Sequence, residues 1–392
     1  VRLRSALQFS LNIPAIKAGF INGLEHQFKR TKDFGLRYPK TVLPVASQSI
    51  GTLEIHPIDL IGAYGAIANG GVLMPRRTIL RVLDGDGVQV WPPEGEKPKG
   101  TRVAARGAAY IVTDILAGNT QKGVNPFWAR WRITNGVTSG KVRPAAYKTG
   151  TTSDNRDVHA YGYLAPPSDK KLPGLVAGVW MGNSDNSPND GLLSLDTSGP
   201  LWSAILSEVS KGMPIEGFAR VRPKGLVTAR VDAFTGMRPG SSTTKVVSEL
   251  FLAGTQPKKA ARYGRVVDVD DASGLLWREG CVGPVVSKTF VDYSAAEPGF
   301  KAWQKANAAW QKRAAKGPGV RGPKGTRTAY FYGSGDGISW YPYGRSWGGK
   351  FAPAKECPLG LPPSTCVSTD PASPCPSVEP SGPGASAKPA NP

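Results

Sequence analysis

The segment Ala145-Ala146-Tyr147-Lys148-Thr149-Gly150-Thr151-Thr152 begins as an apolar strand and ends in residues suited to chemistry. Lys148 supplies a fixed positive charge, and the hydroxyls of Thr149 and Thr151 can donate hydrogen bonds to a carboxylate. Gly150 lets another backbone approach the strand closely. A Lys-Thr-Gly triplet arises by chance in roughly one chain in ten of this length, so alone it is only suggestive. The segment predicts a strand edge that binds a carboxylate.

The residues around this strand alternate between helical and strand-like patterns. Apolar residues at helical spacing predict helices at 1–9, 57–68, about 104–117 and 200–212. Strand-like runs occupy 145–152, 159–164 and 175–181, and a small β segment is expected within 218–262. Because helices come first, strands follow and a helix closes the series, we predict an α/β (α+β) fold with an antiparallel sheet flanked by helices.

A second polar motif, Ser10-Leu11-Asn12, follows the first predicted helix. Pro14 disfavours the helical conformation at Ile13, so the motif is expected in a turn where the first helix has ended. Ser-x-Asn occurs about once per chain of this size by chance, and a polar turn is its ordinary interpretation.

The order and spacing of the two motifs resemble the penicillin-recognising serine transpeptidases, whose motifs are Ser-x-x-Lys, Ser-x-Asn and Lys-Thr-Gly. Further segments resemble the class A, bifunctional penicillin-binding proteins over about residues 1–260. They are Ser10-Leu11-Asn12-Ile13-Pro14-Ala15, Ala63-Tyr64-Gly65-Ala66-Ile67-Ala68-Asn69-Gly70-Gly71, Ala160-Tyr161-Gly162-Tyr163, Ala177-Gly178-Val179-Trp180-Met181-Gly182 and Phe251-Leu252-Ala253-Gly254-Thr255-Gln256-Pro257. The resemblance implies the serine β-lactamase-like transpeptidase fold, peptidoglycan stem peptides as substrate, and β-lactams as ligands.

The resemblance also implies a role for each motif residue in acyl transfer to and from a serine. Ser10 would relay a proton to the leaving amine beside Lys148, with side-chain atoms within about 2.6–4 Å of each other, and Asn12 would bind the substrate amide. The substrate would lie along the 148–152 strand, with the backbone N–H of Thr151 in the oxyanion hole. The implied site residues are catalytic Ser10, Asn12 and Lys148, and substrate-binding Thr149, Gly150, Thr151 and Thr152.

Two features depart from the family pattern. Tyr147 stands where the family usually has a small residue, and its ring is expected to narrow the cleft. The nucleophile motif should precede Ser10, and Ser242-Thr243-Thr244-Lys245 lies instead in a Gly/Pro/Ser-rich stretch after Lys-Thr-Gly. We therefore expect the chain to begin inside a domain, with the nucleophile upstream of Val1. The alternative is an inactive penicillin-binding-like fold that serves as an envelope scaffold.

The chain is strongly basic, since 49 Lys and Arg against 29 Asp and Glu give a net charge of +20. Residues 301–327 carry eight Lys and Arg and no acid, around Trp303 and Trp310. A solvated basic face is the ordinary interpretation, and binding of anionic envelope polymers or lipid is the alternative. No nucleic-acid partner is expected, because these two interpretations account for the basic residues of 301–327. No nucleotide is expected either, since 136–142 fails the phosphate-loop spacing. With only three His and no Cys-x-x-Cys, no metal and no cofactor are expected.

The remaining expectations concern organisation. We predict a transpeptidase domain at 1–217, a small β segment at 218–262, a basic extension with a short amphipathic helix at 263–350, and a disordered Pro/Ser-rich tail at 351–392. No internal repeat is evident. The chain has four cysteines, Cys281, Cys357, Cys366 and Cys375, which are typical of an oxidising, extracytoplasmic location. Four cysteines allow three disulfide pairings, and the sequence does not choose among them.

Overall fold

The computed structural model describes residues 2–93, 95–121, 131–134, 141–189, 191–233, 235–241, 243, 245–292, 294, 300–314, 331–334, 337–340, 345–346 and 352–360. The chain divides into two compact units, residues 1–262 and 263–392. None of the helices in these described ranges combines the length and the apolar character that a bilayer crossing requires.

The first unit contains the helices that surround the candidate site. They are α1 (Leu3–Gln8), α2 (Asn12–Asn22), α3 (Leu24–Asp33), α4 (Pro57–Ala68), α5 (Arg106–Ala117) and α6 (Ser198–Val209). The helices predicted at 1–9, 57–68, 104–117 and 200–212 are therefore confirmed. Pro57 and Pro200 lie in the first turns of their helices, where the missing N–H has no intrahelical partner to lose.

Helix α2 differs from the sequence-based expectation, which placed Ile13 outside a helix. The helix already begins at Asn12, with Pro14 in its first turn. The first N–H groups of a helix lack intrahelical acceptors, so proline is tolerated there and its neighbour follows the helix. The turn between α1 and α2 is consequently only three residues long, 9–11, and Ser10 adopts a positive φ of 56°.

The central sheet has the order β5-β6-β7 and is antiparallel throughout. Its strands are β5 (Ala145–Thr151), β6 (Asp157–Leu164) and β7 (Val176–Gly182), so the three predicted strands and the predicted fold class are confirmed. Shorter strands form two separate ladders: β1 (Val72–Leu73) with β4 (Thr101–Arg102), and β2 (Val82–Leu83) with β3 (Gln89–Trp91).

The two faces of the sheet are covered by different helices. On one face Tyr147 packs on Trp202 of α6, with ring centroids 4.4 Å apart and both side chains fully buried. On the other face Tyr161 stacks near Tyr64 of α4, and the Tyr163 hydroxyl hydrogen-bonds to Thr113 of α5 at 2.7 Å. Both faces are thus buried by large aromatic side chains, which fixes the register of the strands.

A hairpin of β8 (Leu226–Asp232) and β9 (Val246–Leu252) completes the first unit. Glu249 forms ion pairs with Arg2 (2.7 Å) and Arg4 (2.6 Å), and all three side chains are less than one-fifth exposed. The hairpin also covers α5, where a Cβ on Gly107 would lie 2.4 Å from Leu252. These contacts join the hairpin to α1, the helix that leads to Ser10.

The second unit is built on another hairpin. Its elements are β10 (Gly264–Asp270), β11 (Val285–Val291), α7 (Lys301–Ala314), β12 (Phe331–Ser334), β13 (Gly337–Trp340) and β14 (Arg345–Ser346). The β10–β11 hairpin has the same seven-pair antiparallel register as β8–β9. The two hairpins therefore share strand length and pairing, a likeness that the sequence analysis did not predict.

A disulfide joins Cys281 to Cys357 in this unit. The expectation that the chain is unfolded from residue 351 onward fails for residues 352–360, because Cys357 donates a backbone hydrogen bond to Leu276 and Leu359 bridges to Cys281. Apolar burial against the hairpin and the cross-link offset the ordering entropy there. Cys366, Cys375 and the rest of the predicted tail, 361–392, lie outside the described residues.

Candidate active site

The Ser10 and Lys148 side chains meet beside β5, a strand at the edge of the central sheet. The Lys148 ammonium donates a hydrogen bond of 2.8 Å to Ser10 Oγ, across 138 positions of sequence. Ser10 is exposed in the α1–α2 turn, while Lys148 is half-buried on β5. The predicted contact is confirmed, and nothing in the local sequence of either residue could have produced it.

The environment of Lys148 changes its proton affinity. Burial lowers the pKa of Lys148 from 10.5 to about 8, because the charged ammonium loses hydration. Besides Ser10, the ammonium donates to the carbonyl oxygen of Thr149 at 2.7 Å. A lysine of this kind exchanges its proton near neutral pH and has a hydroxyl within direct reach, which suits a proton relay.

His159 is the neighbour of this pair that the sequence analysis missed. It lies on β6 opposite Gly150, on the same face of the sheet as Lys148. Burial, together with the Lys148 charge, lowers the pKa of His159 to about 4, so its imidazole is neutral at neutral pH. The signal that could have found it is the two-residue alternation of β6, which places His159 beside Tyr161 on this face.

The structure explains the glycine at position 150 differently from the sequence-based expectation. A Cβ at this position would lie 2.2 Å from the His159 ring. The missing side chain therefore admits an imidazole from the neighbouring strand, whereas the sequence analysis expected the close approach of another backbone.

The outer edge of β5 is covered over its first half. The Asn119 side chain donates to the carbonyl of Tyr147 (2.8 Å), and the Thr120 hydroxyl donates to the carbonyl of Ala145 (2.7 Å). The backbone groups of the odd-numbered residues of β5 therefore face away from β6. By the same alternation, the backbone N–H and C=O groups of Thr149 and Thr151 face the outer edge. In the described part of the chain β5 is one of the two edge strands of this sheet, and its second half begins at Lys148, next to Ser10.

The three threonines of the motif occupy different surroundings. Thr149 shares the face of Tyr147 and is only 8% exposed. The Thr151 hydroxyl is bonded to Ser194 Oγ at 2.9 Å. Thr152 accepts a hydrogen bond from the N–H of Asp157 at 2.8 Å and so closes the β5–β6 connection. Thr151 is the exposed residue of the three, whereas Thr149 is buried and Thr152 is half-buried.

Asn12 and Tyr147 complete the set of predicted positions. Asn12 is exposed at the first turn of α2, two residues after Ser10. The expectation that Tyr147 narrows the cleft is wrong: the strand alternation turns its ring to the α6 side, opposite Lys148, where it is fully buried. Gly199 of α6 provides the space, since a Cβ there would lie 2.6 Å from the Tyr147 hydroxyl.

The sequence also contains Ser168-Asp169-Lys170-Lys171, a Ser-x-x-Lys that the sequence analysis did not consider. It lies in the exposed connection between β6 and β7, and the Ser168 hydroxyl is bonded to Glu216, so it lacks the helical setting of a nucleophile. Ser242 and Thr244 of the other such motif lie outside the described residues, as do residues 136–140 of the rejected phosphate loop.

Known proteins resemble this chain in sequence over about two thirds of its length. The family model described as "Penicillin-binding protein 1A, C-terminal domain" matches residues 222–262. Penicillin-binding protein 2D of Bacillus subtilis is 28% identical over 265 residues, which covers 67% of this chain and 35% of the relative. Penicillin-binding protein 1A of Clostridium botulinum is 28% identical over 267 residues, which covers 66% and 29%. The chain thus spans about a third of the length of these curated relatives.

The fold has a solved counterpart in the crystal structure of penicillin-binding protein 1A from Haemophilus influenzae. The two superpose with a TM-score of 0.54 at 21% sequence identity, over 67% of this chain and 41% of the other. At this identity the likeness establishes the fold, an antiparallel sheet with helices of the penicillin-binding transpeptidase type.

Proposed function

We propose, on the premise that this chain carries a class A penicillin-binding protein transpeptidase region, that it is the C-terminal part of a peptidoglycan D,D-transpeptidase. Such an enzyme cross-links stem peptides through a serine acyl-enzyme. The observation that carries the proposal is the 2.8 Å hydrogen bond between Lys148 and Ser10. It joins the second and third motifs of the family in one site.

Proton transfer follows from this contact. During acylation the nucleophilic serine gives its proton to the lysine of the Ser-x-x-Lys motif, and its oxygen bonds to the D-alanyl carbonyl carbon. The peptide C–N bond breaks, and the departing amine takes up a proton. Ser10 delivers that proton through its hydroxyl. Lys148, with a pKa of about 8, resupplies the proton to Ser10 without a large change in free energy.

The substrate is proposed to add as a strand along the second half of β5. The outward backbone groups of Thr149 and Thr151 offer it ladder hydrogen bonds, while Asn119 and Thr120 cover the strand further back. The N–H of Thr151 is assigned to the oxyanion hole, where one donor is worth about 3–4 kcal/mol in the transition state.

The remaining motif residues receive unequal roles. Asn12, exposed beside Ser10, is proposed to bind the substrate amide. Thr151 is proposed to donate to the terminal carboxylate by turning its hydroxyl from Ser194. Thr149 was expected to share that task, but its burial assigns it to packing, and Thr152 is assigned to the turn that follows the strand.

The proposed chemistry needs a Ser-x-x-Lys nucleophile, which we place before Ser10 in the full-length protein. Ser5 does not meet the pattern, since Gln8 follows it at the third position and Ser5 is buried. The 392-residue chain by itself is therefore proposed to form no covalent adduct with penicillin.

The test is labelling of the full-length protein, with its upstream residues, by a fluorescent penicillin. We expect a covalent band that Ser10→Ala and Lys148→Ala weaken by about a hundredfold in rate, since each removes a proton-transfer group. Ser168→Ala is the matched control and should label at the normal rate. An unlabelled, folded full-length protein would contradict the proposal and support the alternative of an inactive envelope scaffold.

We also propose an extracytoplasmic envelope location and a weak contact with anionic envelope polymer or lipid through α7. Lys301, Lys305 and Lys312 are exposed on this helix. Trp303 instead is half-buried and stacks on Phe300, with centroids 4.1 Å apart. The Trp303 ring is therefore packed against another ring of the chain, so the proposed contact depends on the lysines. The Trp310 side chain and residues 315–327 lie outside the described residues.

Sedimentation of the chain with anionic and neutral vesicles tests this contact. Binding to anionic vesicles should fall steeply with added salt, because each neutralised charge releases a counterion. A Lys301→Gln, Lys305→Gln, Lys312→Gln variant should bind less. Equal binding to both vesicle types would leave only a solvated basic face.

A further inference from the structure

Two stretches of the chain share a sequence pattern. Val231-Asp232-Ala233-Phe234-Thr235-Gly236-Met237 parallels Val269-Asp270-Asp271-Ala272-Ser273-Gly274-Leu275. Further on, Val246-Val247-Ser248 with Phe251 parallels Val285-Val286-Ser287 with Phe290. The residues that the family model matches, 222–262, contain the first of these stretches.

The turn that follows the first strand is the same in both copies. The Asp232 carboxylate accepts hydrogen bonds from the N–H (2.7 Å) and hydroxyl (2.7 Å) of Thr235. The Asp270 carboxylate accepts the corresponding pair from Ser273, at 2.7 and 2.5 Å. The valine before each aspartate, Val231 or Val269, is fully buried.

The agreement extends to a third strand that pairs beside the turn. In the first copy, Arg238 donates to the Lys259 carbonyl and accepts from the N–H of Ala261. In the second copy, Leu276 donates to the Lys355 carbonyl and accepts from the N–H of Cys357. Both bridges are parallel, and the buried Ala261 and Cys357 occupy equivalent positions.

We infer that residues 264–360 contain a second copy of the 222–262 module, whose third strand comes from a distant segment and is held by the Cys281–Cys357 disulfide. Completion of this module therefore depends on its thiol redox state. The inference is independent of the proposed catalytic function.

Chain connectivity explains why the second copy needs a cross-link. Lys259 follows the end of β9 by seven residues, whereas Lys355 follows the end of β11 by sixty-four. A longer connection loses more entropy when its ends are brought together. The disulfide restricts the conformations of the long connection when the third strand is detached from the hairpin. Less entropy is then lost on pairing, which keeps the third strand in place.

The second copy also lacks the contacts that fasten the first. Glu249, which binds Arg2 and Arg4, is replaced by Lys288 at the equivalent register position. Leu226, at the start of β8, is replaced by Gly264. The acidic residue and the leucine through which the first hairpin contacts α1 and α5 are thus absent at the equivalent positions of the second hairpin.

Opening of the module is a thiol–disulfide exchange. A dithiol reductant attacks the disulfide and passes two electrons and two protons to Cys281 and Cys357. The sulfur–sulfur bond breaks, two thiols form, and the reductant becomes a cyclic disulfide. After reduction the third strand keeps its backbone hydrogen bonds and the burial of Cys357. It also keeps the contacts of Arg278 with the Glu356 carboxylate (3.0 Å) and the Cys357 carbonyl (3.3 Å), but it loses its covalent link to the hairpin.

Hydrogen exchange of the 392-residue chain, measured with and without dithiothreitol, tests the inference. We expect the amides of Leu276 and Cys357 to exchange about tenfold faster or more after reduction. The amides of Arg238 and Ala261, in the copy without a disulfide, are the internal control and should not change. A Cys357→Ser variant should match the reduced chain. Equal exchange at Leu276 and Cys357 in both redox states would overturn the inference.

A shortened variant tests the connectivity argument. Residues 292–354 are replaced by the first copy's connection, 253–258, so that the third strand follows β11 directly. In this variant, Cys281→Ser with Cys357→Ser should leave the exchange of Leu276 slow. Fast exchange at Leu276, with the Arg238 amide still protected, would mean that the two modules are not equivalent.

Discussion

At the scale of single residues, the candidate site depends on an ammonium that is held next to a hydroxyl in a partly dehydrated setting. Lys148 keeps two oxygen acceptors, Ser10 Oγ and the Thr149 carbonyl, while the neighbouring His159 is neutral. Two acceptors do not restore full hydration, and the pKa of Lys148 therefore falls.

The first prediction is that Lys148 titrates near pH 8 in the folded chain. Carbon-13 NMR of lysine labelled at Cε should show one signal with this midpoint, and Lys148→Arg should remove it. The folded chain loses this proton at a lower pH than the unfolded chain. The contribution of Lys148 to the free energy of unfolding should therefore rise between about pH 8 and pH 10.5. A midpoint at the ordinary value of 10.5 would contradict the burial seen here.

At the scale of elements, the β5–β6 pair is organised around the contact of Gly150 with His159. The second prediction is that Gly150→Ala destabilises the chain by about 2 kcal/mol, because the new Cβ overlaps the His159 ring. Adding His159→Ala should recover most of the loss, since the two positions are coupled through one contact.

Chemical unfolding in urea measures these differences. Gly174→Ala is the control, because a Cβ there has no atom within 4 Å and should change stability by less than about 0.5 kcal/mol. If the double variant were no more stable than Gly150→Ala, the imidazole would not be the reason for glycine at this position.

At the scale of the whole chain, the 1–262 unit is closed by a charge cluster between its two ends. Arg4 is bonded to both Glu249 and Asp114, so α1, α5 and β9 share one network. Because the side chains of this network are mostly buried, removing one charged partner leaves the others with uncompensated charge and lowers the free energy of unfolding.

The third prediction is that Glu249→Gln lowers the free energy of unfolding of the chain by about 2–4 kcal/mol, because Arg2 and Arg4 lose the carboxylate that they share while their charges stay mostly buried. Arg4 keeps its ion pair with Asp114. The matched control is Glu208→Gln, which breaks an exposed pair with Lys211 and should change stability by less than about 0.5 kcal/mol. Urea unfolding distinguishes the two. Equal effects would mean that the cluster is as solvated as an ordinary surface pair.

The sequence by itself determined the elements whose signals are local. The spacing of apolar residues from Pro57 onward and the strand pattern around Lys148 predicted α4 and β5 because helix and strand periods depend on neighbouring residues. The resemblance to a family added the Ser10–Lys148 contact, which periodicity alone cannot supply. It also carried roles for Thr149 and Thr152 that their surroundings do not support.

The tertiary structure decided which face each side chain meets and which distant segments pair. Tyr147 is buried under α6, His159 lies against Gly150, and Cys281 is joined to Cys357, although nothing near these residues specifies their partners. The physical reason is that such contacts depend on how the elements pack and on how much chain must be ordered to bring the partners together. The sequence pattern of a strand specifies which residues share a face, whereas the packing of neighbouring elements determines what each face contacts.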